Sequence, residues 1–83
     1  MKIDDLKNAH KYSSYHKEQL SNAKHCGCFY CTRIFDPKEI VDWCDNGQTA
    51  VCPYCGIDSI LPENDAFPIS KEFLMQMRKH WFY

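Results

Sequence analysis

Small and apolar side chains near the start of the chain recur at helical spacing. Between residues 4 and 24 they are separated by alternating intervals of three and four residues, which places them on one face of an α-helix. The positions of this stripe are Leu6, Ala9, Ser13, His16, Leu20 and Ala23. Because the stripe is narrow and weakly apolar, we expect the helix to dock on the rest of the chain. His10 and His16 are six residues apart and do not share a face, so we interpret them as half-buried or surface histidines and not as metal ligands.

A second helical pattern covers residues 71–83. Ser70 can cap the start of this helix, because its hydroxyl can accept a hydrogen bond from a free amide of the first turn. Leu74, Met77 and Trp81 then lie on one face. An apolar stripe of this kind is typical of a helix that packs into a protein core. The pattern therefore predicts a helix near each end of the chain.

The segment between these helices has short runs of β-branched and aromatic residues, which favour strands. Residues 32–35 and 48–51 form two of these runs, and residues 57–61 form a third. We expect the last two to pair as a small hairpin.

One interruption of this β pattern predicts a short inserted helix. Asp36 can cap it, Pro37 suits its first position, and Glu39 can reach back to the amide of the capping residue. We expect this helix to run from Pro37 to Cys44. It would end at the Asp-Asn-Gly sequence of residues 45–47, which is a strong helix terminator.

All six cysteines lie in the middle of the chain, and four of them form two matched pairs. Cys28 and Cys31 are separated by two residues, as are Cys52 and Cys55, and 20 residues lie between the pairs. This is the spacing of a four-thiolate zinc site, because two intervening residues allow both sulfurs of a turn to reach one ion at about 2.3 Å. Four thiolates leave no open coordination position, so the pattern predicts one structural Zn²⁺.

The other two cysteines do not fit this spacing. Cys26 is too close to Cys28 to form a matched pair, and Cys44 lies on the apolar side of the predicted inserted helix, where a free cysteine behaves as a small hydrophobic residue. One alternative stays open, in which Cys26 or His25 approaches the metal as an exchanging ligand.

Gly27 directly follows Cys26 and breaks the helical pattern of the preceding residues. Glycine can adopt backbone angles that other residues resist.

The two cysteine turns resemble those of a zinc ribbon. The sequences Cys-Gly-Cys-Phe-Tyr-Cys and Cys-Pro-Tyr-Cys-Gly-Ile-Asp-Ser are also similar to those of a group of small bacterial cytoplasmic proteins. This resemblance implies zinc and a bacterial cytosol, and it supplies no activity. The inserted helix and the two terminal helices depart from an ordinary ribbon. They weaken any transfer of a nucleic-acid role from ribbons in general.

Three other kinds of site fit the cysteines less well than zinc does. Three disulfides would suit a secreted chain, whereas residues 1–20 are polar and contain no apolar signal region. Cys-Pro-Tyr-Cys also resembles the active site of glutaredoxins, but here a glycine and a β-prone run follow it in place of a helix. The second turn resembles an iron-binding turn of rubredoxins, while the first turn lacks the matching glycine. Iron is therefore the alternative metal.

The length of the chain and its charge limit how it can be stabilised and which partners it can attract. A chain of 83 residues has a small core, so the roughly 10–16 kcal/mol of structural zinc binding would supply stability that burial alone cannot. The formal net charge is −1, with +2 on residues 1–25, −5 on residues 26–69 and +2 on residues 70–83. A global attraction to nucleic acid is therefore absent, although the ends are locally basic.

Together these patterns predict an α+β fold: a zinc-ribbon-like β-hairpin core with a short inserted helix and with N- and C-terminal helices packed around it. We expect one zinc-binding domain over residues 1–83, with an N-terminal helix in 1–25, a zinc core in 26–61 and a C-terminal helix in 70–83. We expect a cytoplasmic protein that is not an enzyme.

Its expected role is that of an interaction module or adaptor with protein partners, and self-association through the terminal helices is an open possibility. The candidate surfaces are Tyr12 and Tyr15 on the first helix and the aromatic residues 81–83. The alternative is a nucleic-acid-binding regulator, in which basic and aromatic side chains hold phosphates and stack bases. The residues of that alternative are Lys11, Tyr12, Tyr15, Lys17, Lys24, Arg78 and Lys79.

Overall fold

The computed structural model describes residues 3–82, which contain three α-helices and two antiparallel sheets. The helices are α1 (Ile3–His10), α2 (Lys17–Asn22) and α3 (Lys71–Phe82). The strands are β1 (Cys26–Cys28), β2 (Ile34–Phe35), β3 (Asp42–Cys44), β4 (Thr49–Val51) and β5 (Ile60–Pro62). Two 3₁₀ turns cover Lys11–Ser13 and Pro37–Glu39. The predicted α+β class, with antiparallel hairpins and helices before and after them, is confirmed.

The predicted single helix over residues 4–24 is interrupted. After the 3₁₀ turn, Ser14 is extended and Tyr15 has a positive φ of 51°, so the helical hydrogen bonds stop and restart at α2. The hydroxyl of Ser13 donates to the carbonyl of His10 at 2.7 Å, which is the kind of local bond by which serine competes with a helix. The helical spacing nevertheless identified the buried side chains correctly, because five positions of the predicted stripe are buried and the sixth is half-buried.

Tertiary hydrogen bonds explain the interruption. The amides of His16 and Lys17 both donate to the carbonyl of Gln48, at 2.9 and 3.2 Å. The amide of Tyr15 donates to Oγ1 of Thr49 at 2.9 Å. These bonds to the turn and second strand of the β3–β4 hairpin replace bonds that a continuous helix would have made.

The predicted helix from Pro37 to Cys44 is wrong beyond its first turn. The predicted cap is present: the Asp36 side chain accepts from the amide of Lys38 at 2.9 Å, and the Glu39 carboxylate accepts from the amide of Asp36 at 3.2 Å. Only the 3₁₀ turn follows, because Ile40 is extended and buried and leads into β3. β-branched residues at positions 40 and 41 favour this extended backbone.

The strand pairing also differs from the expected hairpin of residues 48–51 with 57–61. β4 pairs with β3, and the Asp-Asn-Gly sequence that was expected to end a helix forms the turn between them, with all three residues at positive φ. β5 instead pairs with β1, which is the central strand of the order β2-β1-β5. The first cysteine turn therefore connects β1 to β2 within the three-stranded sheet. The second cysteine turn lies between β4 of the hairpin and β5 of that sheet.

The interior consists of two hydrophobic clusters. The helical core contains Leu6, Ala9, Phe29, Leu61, Phe67, Phe73, Leu74 and Met77. The cysteine core contains Leu20, Cys26, Cys28, Phe35, Ile40, Ala50, Cys52 and Ile60. Neighbouring residues Ile60 and Leu61 of β5 belong to different clusters, as expected where successive side chains of a strand point to opposite faces. The three-stranded sheet thus separates the two clusters.

The predicted C-terminal helix is confirmed as α3, whose buried side chains are Phe73, Leu74 and Met77. Ser70 Oγ accepts from the amide of Phe73 at 3.2 Å, as the capping prediction requires. Gly27 makes room for this helix: a Cβ at that position would lie 2.7 Å from Cδ1 of Leu74. The glycine is therefore needed for close packing and not for unusual backbone angles. Within residues 3–82, no helix is long and apolar enough to cross a membrane.

Candidate metal centre

The two Cys-x-x-Cys turns have the same backbone hydrogen bonds. In the first, the amide of Cys28 donates to the carbonyl of Arg33 at 3.0 Å, and the amide of Thr32 donates to the carbonyl of Cys28 at 2.8 Å. In the second, the corresponding bonds join Cys52 to Ile57 at 2.9 Å and Gly56 to Cys52 at 3.0 Å. The two turns are thus copies of one backbone structure, although their sequences differ.

The residue after each second cysteine lies in the left-handed region of backbone space. Thr32 has φ 63° and Gly56 has φ 78°. Glycine adopts this conformation easily, whereas a β-branched residue such as threonine does so at a cost of about 1–2 kcal/mol. The glycine that the first turn lacks is therefore replaced by a strained threonine. Its hydroxyl donates to the carbonyl of Cys31 at 2.7 Å.

These turns bring the four predicted sulfurs together. The Sγ atoms of Cys28 and Cys55 are 3.6 Å apart, those of Cys31 and Cys52 are 3.7 Å apart, and all four lie within 4.8 Å of one another. A tetrahedron with zinc–sulfur bonds of ~2.3 Å has edges of about 3.8 Å. The four cysteines are therefore positioned to bind one metal ion.

Disulfide bonding does not account for this arrangement. A sulfur–sulfur bond measures about 2.05 Å, far less than these separations, and all six cysteines are free. Each of the two close pairs also joins one turn to the other, as ligands around a shared ion do.

Burial makes the centre unfavourable for thiolates unless a cation is bound. Cys28 and Cys52 are buried, and Cys31 and Cys55 are half-buried. Burial is the main cause that raises the pKa of Cys55, and the neighbouring Cys28 raises it further. Four thiolates so close together would repel one another. A bound cation reverses this preference, because it neutralises the thiolates that the surrounding protein disfavours.

Two groups lie within hydrogen-bond distance of the Cys28 sulfur. The amide of Tyr30 donates to Cys28 Sγ at 3.4 Å, and the hydroxyl of Ser59, which is buried, lies 3.1 Å from the same sulfur. Outer hydrogen bonds of this kind hold a ligand in place and tune its affinity for a metal. Ser59 was not among the predicted site residues, since nothing in its sequence position identifies it.

The second turn is fixed from outside by Tyr54. Its hydroxyl donates to the carboxylate of Glu39, and its ring packs edge-on against Phe35 at 5.4 Å between centroids. The guanidinium of Arg33 lies over the same ring, 4.5 Å from its centre. The capping residue Glu39 therefore also connects the 3₁₀ turn to the metal centre.

The remaining candidate ligands lie outside the group of four. Cys26 Sγ donates to the carbonyl of Phe35 at 3.6 Å, and burial raises the pKa of this thiol to about 12. His25 Nε2 lies 3.2 Å from the Glu63 carboxylate. Cys44 is half-buried on β3, and not on a helix as predicted. Among the described residues, only Cys28, Cys31, Cys52 and Cys55 form a group that could hold a metal ion.

A small α+β protein with four cysteines at metal-binding distance is consistent with a zinc-ribbon-like site. Comparisons with known protein families, curated proteins and solved structures find no match to this chain. Its role must therefore be inferred from its own residues.

Proposed function

We propose that this chain is a small cytoplasmic zinc protein whose four-cysteine centre is structural and whose surface binds protein partners. The observation that carries the structural role is the set of sulfur distances between two matched turns. Cys28 and Cys52 also belong to the cysteine core, so a metal would join the two turns within the hydrophobic interior. Binding energy of that kind contributes directly to folding.

Zinc is the metal we propose, with iron as the alternative. A closed set of four thiolates in a tetrahedron is the usual form of a structural zinc site. The missing glycine of the first turn does not argue against iron, because Thr32 adopts the same backbone conformation. Metal analysis of the purified protein with a visible absorption spectrum distinguishes the two, since zinc is colourless and an iron–thiolate centre absorbs visible light.

Two considerations support a cytoplasmic protein without catalytic chemistry. Six unpaired cysteines in so short a chain suit a reducing compartment. Four thiolate ligands leave no position on the metal for water or substrate, which a catalytic zinc requires.

A binding role is supported by large apolar side chains that the fold leaves in solvent. The relative exposure is 71% for Tyr15, 77% for Val41 and 56% for Met75. Trp81 and Phe82 are only partly exposed, because their rings pack on other aromatic residues. Tyr83 lies outside the described residues.

The position of Tyr12 weakens the nucleic-acid alternative, and it also removes this ring from the candidate protein-binding surface of the first helix. Its ring packs edge-on against Phe67, 5.2 Å between centroids, on the border of the helical core. Of the two tyrosines expected to stack on bases, Tyr15 alone is largely exposed. Base stacking by a pair of adjacent aromatic side chains therefore loses one member.

The test is affinity capture from bacterial cytosol with the zinc-loaded protein as bait, with and without nuclease treatment. We expect specific proteins to be retained after nuclease treatment, and Cys52→Ser bait to lose them. Capture that disappears with nuclease, together with direct binding of an oligonucleotide at low salt, would instead establish the nucleic-acid alternative.

A further inference from the structure

The outer side of α3 forms one wall of a large groove. Lys71, Met75 and Lys79 follow one another at four-residue intervals on this side, and all three are exposed. The groove has a volume of about 820 Å³. Its size is within the range of about 300–1,000 Å³ that is usual for ligand pockets.

The first cysteine turn contributes one residue to the groove. Thr32, which directly follows Cys31, lines the groove together with residues of α3. Arg78 connects α3 to this turn: its guanidinium donates to the carbonyl of Tyr30 at 2.6 Å and lies 5.0 Å from the centre of the Tyr30 ring. The groove therefore lies along α3, beside the point where Arg78 holds this helix to the first cysteine turn.

The chemistry of the lining selects the kind of occupant. Lys71, Arg78 and Lys79 carry positive charge and Glu72 carries the one negative charge, so the lining has a formal net charge of +2. Met75 supplies a flexible, exposed apolar side chain at the centre of this basic rim, which suits varied apolar partners. None of the described residues that line the groove is aromatic, so it offers no platform for stacking bases.

We propose that this groove binds an acidic, amphipathic peptide segment of a partner protein, with an apolar side chain on Met75 and carboxylates beside Lys71 and Lys79. The proposal rests on the function proposed above and names the chemistry of the partner. Opposite charges at the rim would set the rate and specificity of docking, and burial of the apolar contact would supply affinity.

The experiment selects binders from a phage library of short random peptides on the immobilised zinc-loaded protein. Binding of the selected peptides is then measured by fluorescence anisotropy, with an oligonucleotide and a second copy of the chain as competing probes. We expect the selected peptides to combine Asp or Glu with a large apolar residue. Their affinity should fall about tenfold or more with the double substitution Lys71→Glu and Lys79→Glu, and about fivefold with Met75→Ser.

The matched control is the double substitution Lys11→Glu and Lys24→Glu, which makes the same charge change at exposed lysines elsewhere and should leave peptide affinity unchanged. Peptides that bind equally to all variants would overturn the groove and leave the adaptor function standing. Failure to select any peptide would overturn the groove proposal, whereas the adaptor function would be overturned by the absence of nuclease-resistant capture. Preferential binding of the oligonucleotide or of a second copy of the chain would also overturn the peptide assignment.

Discussion

The imidazole of His16 accepts a hydrogen bond from the amide of Ala50, with 2.9 Å between Nε2 and N. The other ring nitrogen, Nδ1, donates to the carbonyl of Tyr12 at 2.6 Å. These two bonds fix the neutral imidazole with its proton on Nδ1. Because Ala50 lies on β4, which leads directly to Cys52, the buried ring connects the N-terminal segment to the strand that carries a metal ligand.

This connection predicts a loss of stability in mild acid. Burial lowers the pKa of His16 below its ordinary value of 6.5, outweighing the opposing effect of the hydrogen bond to Tyr12. A folded-state pKa below the unfolded value means that the unfolded chain binds the proton more readily. The contribution of His16 is therefore complete above about pH 6.5 and is lost as the pH falls from there towards the lowered pKa.

Chemical denaturation across this pH range measures the effect, with His16→Gln as the control. The glutamine can still accept from the Ala50 amide and has no proton to gain, so this part of the pH dependence should disappear. We also expect the variant to lose about 1–3 kcal/mol at neutral pH, because the Tyr12 carbonyl loses its donor. Equal pH dependence in both proteins would contradict the role of His16.

The cysteines can be separated by their effect on metal content. Cys52→Ser should expel the metal or unfold the protein, because it removes one of four ligands of a structural centre. Cys26→Ser should retain one metal ion per chain, since Cys26 bonds to the Phe35 carbonyl and lies outside the group of four. Native mass spectrometry counts the bound metal. A metal-free Cys26→Ser protein that is still folded would show that the ligand set is wrong.

The matched backbone of the two turns predicts an unusual order of stability. Thr32→Gly relieves the left-handed strain, whereas Thr32→Ala retains it and loses the same side-chain contacts. The glycine variant should therefore be the more stable of the two by about 1 kcal/mol, the reverse of the usual order in regular structure.

Gly56→Ala completes the comparison. No atom lies within 4 Å of the added Cβ, so its cost of about 1–2 kcal/mol should be purely conformational. Thermal denaturation of the zinc-loaded variants measures all three. If alanine were preferred to glycine at both positions, the left-handed conformation of these residues would be incorrect.

Ser59 should control metal affinity without being a ligand. Ser59→Ala removes the hydroxyl beside Cys28 Sγ, and loss of such an outer partner typically weakens metal binding by about 10–100-fold. Competition with a chromophoric chelator measures the affinity. Ser13→Ala is the matched control, since it also removes one buried serine hydroxyl, but one that donates to the His10 carbonyl. It should lower stability and leave the metal affinity intact.

The two halves of the first stripe show how far a periodic pattern can be used. Leu6 and Leu20 are both buried, as the helical spacing predicts. They belong to different clusters, however: Leu6 packs in the helical core and Leu20 in the cysteine core. The pattern identified which side chains are buried, but a periodic stripe contains no information about a change of partner along it. The hydrogen bonds of Gln48 and Thr49 decide where the helix breaks.

The predicted helix of the inserted segment is wrong for a related reason. Its capping signals at Asp36 and Glu39 are local and formed as predicted. The continuation depends on whether Ile40 and Trp43 find partners as a helix or as a strand. In the fold Ile40 enters the cysteine core and Trp43 pairs with Ala50, so tertiary contacts outweigh the weak helical preference of the segment.

The ligand candidates, the caps and the α+β class were predictable from local sequence, because cysteine spacing, capping residues and hydrophobic periods act over a few neighbouring residues. Long-range contacts set the strand pairing, the need for Gly27 beside Leu74, and the support of the cysteine turns by Ser59 and His16. These relationships join residues far apart in the chain. Their energies depend on burial and on the partners that folding brings together. The spacing of neighbouring residues predicts neither the burial nor the partners.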